Sequence, residues 1–405
     1  MMKFFKRGKQ AASPSHSLSR EDEIFMRSAG LSGIRTSAGI TVSERISLSV
    51  PGVYACISRI ADSIAMLPVH VYQKAASGRR TRVANHPAEN LLNNRPNPYM
   101  SAFTFTQTKI ANALLWGNGY SEVELNGRGE ALALWPLLPD ATWPDRQGET
   151  LIYKTNIDGK TITLDPDRVA HLKALSHDGY YGISPIRKAQ QAVGMAIAME
   201  KHGANFFANE ARSGGFIQHP DQLSPIAQKN LQESVNAQGG LENSHRIKIL
   251  EEGAKYIQVT IPNDAAQFLE SREFQLSEFA RMFNVPLVLL QSQEGSTVWG
   301  TGIESLMIAF VTYTLGPWLR QLELEYNEKL FTTAERESGL YIKYQSNALL
   351  RGDMAGRAAW YKAMAEIGGL NANQIRELEE MNAVDGLDTY FHPSSWTPYG
   401  DETDE

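Results

Sequence analysis

The sequence predicts an α+β fold. Residues 120–172 alternate apolar and polar side chains with period two, as half-buried strands do. Residues 263–284 instead repeat apolar side chains at helical spacing, and 184–211 open on a Ser-Pro helix start and are crowded with small residues. Residues 53–72 mix a helical run with a short alternating one.

Composition bounds what such a chain can be. With 405 residues and 42% hydrophobic content there is enough apolar matter for a packed core and more than one domain. Charged residues make up 21%, which excludes wholesale disorder. Cys56 is the one cysteine, so no intramolecular disulfide can form. Met1-Met2-Lys3-Phe4-Phe5-Lys6-Arg7 is basic, but no apolar stretch follows it, unlike a secretory signal. The longest apolar run, 306–318, is too short to span a bilayer and reads as a buried helix. Formal net charge is −6 and the pI about 5.9. No Lys/Arg cluster stands out beyond the first ten residues, which argues against a protein that grips duplex DNA.

The elements follow in order. Residues 1–40 are polar, Ser-rich and aperiodic, and read as a flexible arm. Val53, Cys56, Ile57, Ile60 and Ile64 mark a helix over 53–66, and Leu67-Pro68-Val69-His70-Val71-Tyr72 a strand. A short helix starts at His86-Pro87 and stops before Pro96, and a longer one covers 101–116. Strands 120–125 and 131–135 flank the turn Asn126-Gly127-Arg128-Gly129, and further strands are expected at 151–157, 160–164 and 169–172.

Ser184-Pro185 starts a helix, with Ser at the cap and Pro in the first turn. That helix, 184–211, is crowded with small residues, among them Gly194 and Ala198, so it leans on close neighbours. A small insert of strands and one helix is expected over 212–262. Asn263-Asp264 caps the next helix, whose apolar face carries Phe268, Leu276, Phe279 and Phe283. After Val285-Pro286 comes the polar loop 291–300, then a helix from 301 to about 331 interrupted by Gly316-Pro317. A strand at 340–344, two amphipathic helices near 354–366 and 373–381, and an acidic tail close the chain.

No constellation of reactive residues emerges. Cys56 lies on the apolar face of its helix without a local base, which favours packing over nucleophilic chemistry. His177-Asp178 are adjacent and suit a turn better than an acid–base pair. His171 sits in a strand and reads as a partly buried, satisfied residue. No His pair has metal-ligand spacing, and no phosphate-binding G-x-x-x-x-G-K-[ST] loop is present. No cofactor is expected, and no enzyme.

Several ordered blocks resemble the portal proteins of tailed double-stranded DNA bacteriophages, the long-tailed type in particular. They are Val53-Tyr54-Ala55-Cys56-Ile57 through Leu67-Pro68-Val69, then Leu91-Leu92-Asn93-Asn94-Arg95-Pro96-Asn97-Pro98, then Trp116-Gly117-Asn118-Gly119-Tyr120. Asp178-Gly179-Tyr180-Tyr181-Gly182-Ile183-Ser184-Pro185 and Phe283-Asn284-Val285-Pro286 with Leu289-Leu290 follow. Leu315-Gly316-Pro317-Trp318-Leu319 with Glu323, Asn327 and Leu330 completes the series. The family pattern often has a second Pro after Pro286 and a Gly after the Leu pair, where this chain has Leu287 and Gln291.

The resemblance implies a portal-type fold: a flexible arm (1–40), a mixed α/β wing (41–183), a first stem helix (184–211), a small α/β clip (212–262) and a second stem helix (263–285). A turn and tunnel loop (286–300) would follow, then a kinked helix with a return strand to the wing (301–350), and a helical crown with the acidic tail (351–405). It implies that Gln291, Gln293, Glu294, Ser296, Thr297, Val298 and Trp299 line a DNA channel, Trp299 being equally suited to a core anchor. Gly194, Ala198, Phe268 and Phe279 would pack the stems.

The implied protein is a ring of twelve copies at one capsid vertex, through which double-stranded DNA is packaged and ejected without sequence-specific binding. Its implied partners are the large terminase subunit, a head–tail adaptor and the major capsid protein. Its place would be the virion, with assembly in the host cytoplasm and no membrane. The rival readings are a cytosolic mixed α/β enzyme and a soluble DNA-binding regulator.

Overall fold

The computed structural model describes residues 33–208, 215–218, 224–226, 228–229, 255–258, 265–290, 301–350, 354–379 and 381–390. Residues 1–32 of the expected arm, most of the expected clip, the loop 291–300 and the acidic tail lie outside the described residues.

A short strand pair, β1 (Ile34–Arg35) and β2 (Thr41–Val42), opens the described chain, with β1 inside the stretch expected to be an arm and β2 just beyond it. Thr36 holds the connecting turn by accepting from Gly39 N and donating both its N–H and its hydroxyl to Ile40 O. α1 (Glu44–Ser47) follows, capped by Ser43. α2 (Pro51–Ala65) buries Val53, Cys56, Ile57, Ile60 and Ile64 on one face and is the hub of the main core. It packs against α4 (Ala102–Trp116), whose Phe105, Ile110 and Leu114 are buried.

The strands form small antiparallel sheets. β3 (Val69–Lys74) is central between β4 (Arg80–Arg82) and β13 (Leu340–Tyr344). β5 (Asn118–Leu125) is central between β6 (Ala131–Leu137) and β10 (Val169–Lys173). β8 (Thr150–Ile157) is central between β7 (Thr142–Gln147) and β9 (Lys160–Leu164). β7 was not expected from the sequence, because Pro144 breaks its pattern. Its place at a sheet edge is where a residue without an N–H is tolerated.

Two helices cover the open edges of the β3–β13 pair. α3 (Pro87–Asn93) presents Glu89 and Asn93, which accept from Val71 N at 3.0 Å and Val69 N at 2.9 Å. α9 (Gly316–Lys329) presents Glu323 and Asn327, which accept from Tyr344 N at 3.1 Å and Ile342 N at 2.7 Å. Four residues of helix rise about 6 Å and two residues of strand about 6.6 Å, so the spacings match. The next carboxylate on α9 that reaches a strand, Glu325, accepts from His171 N of β10, so this helix joins two sheets.

That junction is polar inside. Lys109 of α4 is fully buried, donates to Ser121 Oγ at 2.7 Å and Ala170 O at 3.0 Å, and lies 4.8 Å from the ring centroid of Tyr326. Burial pulls its pKa down to about 7, opposed by Glu325. His171 is likewise buried, bonded to Tyr153 OH and Asn118 Oδ1. Its pKa falls well below the usual imidazole value through burial, with Lys173 and Lys109 adding repulsion.

The helix expected as one piece over 184–211 is two: α5 (Pro185–Lys188) and α6 (Gln190–Ala208). Ala189, at φ −98° and ψ 16°, makes the break, while bonds from Ala189 N to Pro185 O and from Val193 N to Ala189 O carry the chain across it. β11 (Gly215–Gln218) and β12 (Lys255–Gln258) pair antiparallel, and α7 (Ala265–Phe283) packs against α2 and α6. The helix expected from 301 is α8 (Thr301–Ala309), then a π-helical segment Phe310–Leu315, then α9. Pro317 cannot donate to the carbonyl one turn back, and the wider π turn accommodates it. α10 (Thr333–Glu337) has a capping box between Thr332 and Glu335. α11 (Met354–Glu366) and α12 (Ala372–Leu378) end the described helices. No helix among the described residues is long and apolar enough to cross a membrane.

Candidate functional site

The segments that enter and leave the long helices 185–208 and 265–283 form the candidate site, together with the two ends of loop 291–300. At the entry, Asn118 donates from Nδ2 to Gly182 O at 2.8 Å and to Trp116 O at 3.1 Å, and its Oδ1 accepts from Gly182 N at 2.8 Å. A Cβ on Gly182 would fall 1.9 Å from Gly117 O, so only glycine permits this backbone contact. Ser184 then caps α5 by accepting from Arg187 N and donates its hydroxyl to Leu115 O at 2.7 Å. Two of the sequence blocks, 116–120 and 178–185, are thus one structural unit.

At the exit, α7 ends at Phe283, and Asn284 takes the left-handed conformation with φ 55°. Asparagine tolerates that region better than most residues, and Val285 N closes the helix end on Ala280 O at 2.8 Å. Pro286 then prevents the helix from resuming. Leu287–Leu290 form a 3-10 turn whose Leu289 and Leu290 pack on the core. On the far side of the loop, Thr314 of the π segment donates its hydroxyl to Asn284 O. α2 contacts both the 3-10 turn and the π segment. Both flanks of the loop are therefore fastened to one helix and to each other.

Of the residues expected to pack the stems, Phe279 is buried, and a Cβ on Gly52 would meet its ring at 3.0 Å. Gly194 is buried, and a Cβ there would meet Thr36 at 2.6 Å, so its neighbour is the β1–β2 turn of the same chain. Ala198 is half-buried. Phe268 lies in α7, with its side chain outside what is described. Gln291, Gln293, Glu294, Ser296, Thr297, Val298 and Trp299 all lie outside the described residues.

Among the described residues the arrangement holds backbone in place rather than gathering reactive groups. Cys56 is buried, and burial pushes its thiol up to about 12, so it packs as an apolar side chain. Asp178 Oδ1 accepts from Tyr180 N, Tyr181 N and Ser176 Oγ, a turn role, and those bonds hold its carboxyl below the usual range. His86 Nδ1 accepts from Ala88 N at the start of α3, which leaves Nε2 to donate to Glu335 Oε1 at 3.0 Å. Among the described residues no group of three or more His, Cys, Asp or Glu could hold a metal ion.

One expectation fails. Lys74, Arg79, Arg80 and Arg82 stand within nine residues of one another, in a stretch from Ser63 to Ala88 that has no Asp or Glu. This is a basic cluster well beyond the first ten residues. The β3–β4 register pairs Lys74 with Arg80 and closes it into a patch.

Residues 51–380 match the family model described as phage portal protein. The chain is 31% identical over 360 residues to the portal protein of Enterobacteria phage HK97, covering 88% of this chain and 84% of that one. It resembles a solved HK97 family phage portal protein from Corynebacterium diphtheriae, with TM-score 0.57, 16% identity, and coverage of 79% of this chain and 98% of that one. It also resembles a chain in the neck of a native gene transfer agent particle computed with C12 symmetry, with TM-score 0.54, 20% identity, and coverage of 89% and 99%.

Proposed function

The chain belongs to the phage portal protein family, and on that premise we propose that twelve copies close into a ring at one capsid vertex, through which double-stranded DNA enters and leaves. The observation that carries this reading is the fastening of both flanks of loop 291–300: Asn284 to Thr314, and both segments to α2. Such a mount fixes the two points between which the loop must run. The C12 symmetry of the related neck supports the subunit count. Ring closure needs heterologous contacts that return on themselves after a full turn.

In this reading residues 41–183 with the return strand form the wing, 184–211 and 263–285 the stems, 212–262 the clip, 286–300 the turn and tunnel loop, and 351–405 the crown and tail. Gln291, Gln293, Glu294, Ser296, Thr297, Val298 and Trp299 line the channel, and Gly194, Ala198, Phe268 and Phe279 support the stems. The family is structural. The chain itself then does no catalysis, and the terminase large subunit supplies the motor. A head–tail adaptor, the major capsid protein and the DNA in transit complete its partners, in the virion and, during assembly, in the host cytoplasm. The family match leaves the enzyme and regulator readings without support.

Native mass spectrometry with end-on electron microscopy tests the proposal. A closed ring near twelve subunits with an axial hole is expected. A stable monomer or dimer under assembly conditions overturns it.

A further inference from the structure

The three-stranded sheet β4-β3-β13 has one face in the core, through Val69, Val71, Ile342 and Tyr344. Its other face is open. Cross-strand partners share a face, so the register places Tyr72 beside Arg82 and Tyr341, Lys74 beside Arg80, and His70 beside Lys343. Lys74, Arg80, Arg82 and Lys343 are exposed, and Arg79 adds a further cation at the turn, where Ala75 N bonds Arg79 O.

The charges fall into two kinds. Arg82 is held by Glu89 at 2.6 Å, with Glu377 at 3.7 Å, and Lys343 by Glu323 at 3.0 Å. Among the described residues Lys74, Arg79 and Arg80 have no ion pair. The two tyrosines stack with centroids 5.7 Å apart, and Tyr72 OH accepts from Gln345 Nε2. Beside His70 and Arg82 the face continues into a polar groove of about 470 Å³ rimmed by Asn85, Asn90 and Asn94.

A chain of net charge −6 has here gathered Lys74 and Arg80 on a sheet face and Arg79 at its turn, none of them in an ion pair among the described residues, with tyrosines and asparagine side chains nearby. We propose that this face binds a nucleic-acid phosphate backbone. Phosphates recur along a strand, accept from guanidinium forks and ammonium groups alike, and need no pocket. The face is separate from the tunnel loop, and the proposal goes beyond passage through a channel: it gives the protein a surface that holds nucleic acid. It stands or falls whether or not the ring forms.

The test is fluorescence anisotropy of a labelled mixed-sequence duplex oligonucleotide titrated with the full chain over a range of salt. The variant K74E/R79E/R80E spares Arg82, whose bond to Glu89 belongs to the fold. K74Q/R79Q/R80Q removes charge without reversing it, and K3E/K6E/R7E controls for the other basic stretch. Circular dichroism and native mass check folding and assembly of each variant.

Binding by the parent should weaken with salt. Three lost phosphate contacts should flatten the salt slope of the glutamine variant by roughly 2.7, so the parent's advantage should shrink about 40-fold between roughly 50 and 200 mM salt. The glutamate variant should bind more weakly still, and the N-terminal variant should keep most of the slope. An unchanged slope in the folded glutamine variant overturns the proposal. So does loss of binding in the N-terminal variant alone. Binding of polyglutamate but not of DNA, abolished by the same hairpin changes, overturns it in favour of an acidic protein partner.

Discussion

Glu89 and Glu323 act alike on the two sides of the β3–β13 pair, Glu89 where β4 leaves the start of β3 unpaired. Each sits on a helix with an asparagine four residues later, and each pair accepts from the outward N–H groups of alternate strand residues. Both carboxylates are nearly fully buried and each holds a cation, Arg82 or Lys343, at the rim. The helices thereby finish edges that would otherwise leave buried donors unpaired.

Glu323→Leu strands the buried Tyr344 N–H and should lower stability by about 1–3 kcal/mol. Glu323→Gln keeps a carbonyl in place and should cost less. Denaturant melts of the two variants decide this. Equal losses would mean that the charge matters and the hydrogen bond does not.

Lys109 makes stability depend on pH. Its folded pKa lies near 7, below the ordinary 10.5. Between those values the unfolded chain binds more protons, so stability should rise with pH across that window and show no slope from this group below about 7. Lys109→Met removes the group, and its unfolding midpoint should gain less than the parent's from pH 7 upward. Parallel profiles would show that Lys109 is not desolvated in solution.

Gly194→Leu must displace Thr36 and should cost about 1–3 kcal/mol through overpacking. The damage should appear in the melting of the subunit as well as in ring yield on a sizing column. Ala198→Leu, at a half-buried position, should lower ring yield with little change in subunit melting. Unchanged yield for both variants would argue that neither position supports assembly.

Glu294→Lys addresses the loop. Rings should still form. About twelve new positive charges in a constriction should slow DNA transit by pairing with phosphates, an effect that shrinks at high salt. Packaging at the parental rate, with normal DNA retention at low salt, would remove the loop from the channel.

Much of the fold was legible from local pattern. The apolar spacing of Val53, Cys56, Ile57, Ile60 and Ile64 marked α2, and alternation marked β5, β6 and β8–β10. Ser184-Pro185 marked a helix start, and the ordered blocks from Val53 to Leu330 marked the family. These signals survive in sequence because helical and strand periods record burial over a few neighbouring residues.

Other features depend on partners far away along the chain. Nothing near Glu323 announces Tyr344, and nothing near Gly194 announces Thr36. Pro144 hid β7 because tolerance for proline depends on which strand ends a sheet. Lys74, Arg79, Arg80 and Arg82 already cluster within nine residues of sequence, and the β3–β4 and β3–β13 registers add Tyr72, Tyr341 and Lys343 to the same face. The sequence by itself determined most of the elements and the family. The tertiary structure alone decided which edges are capped, which glycines touch backbone and which cations share a face, because hydrogen bonds and charges act through space and register rather than along the chain.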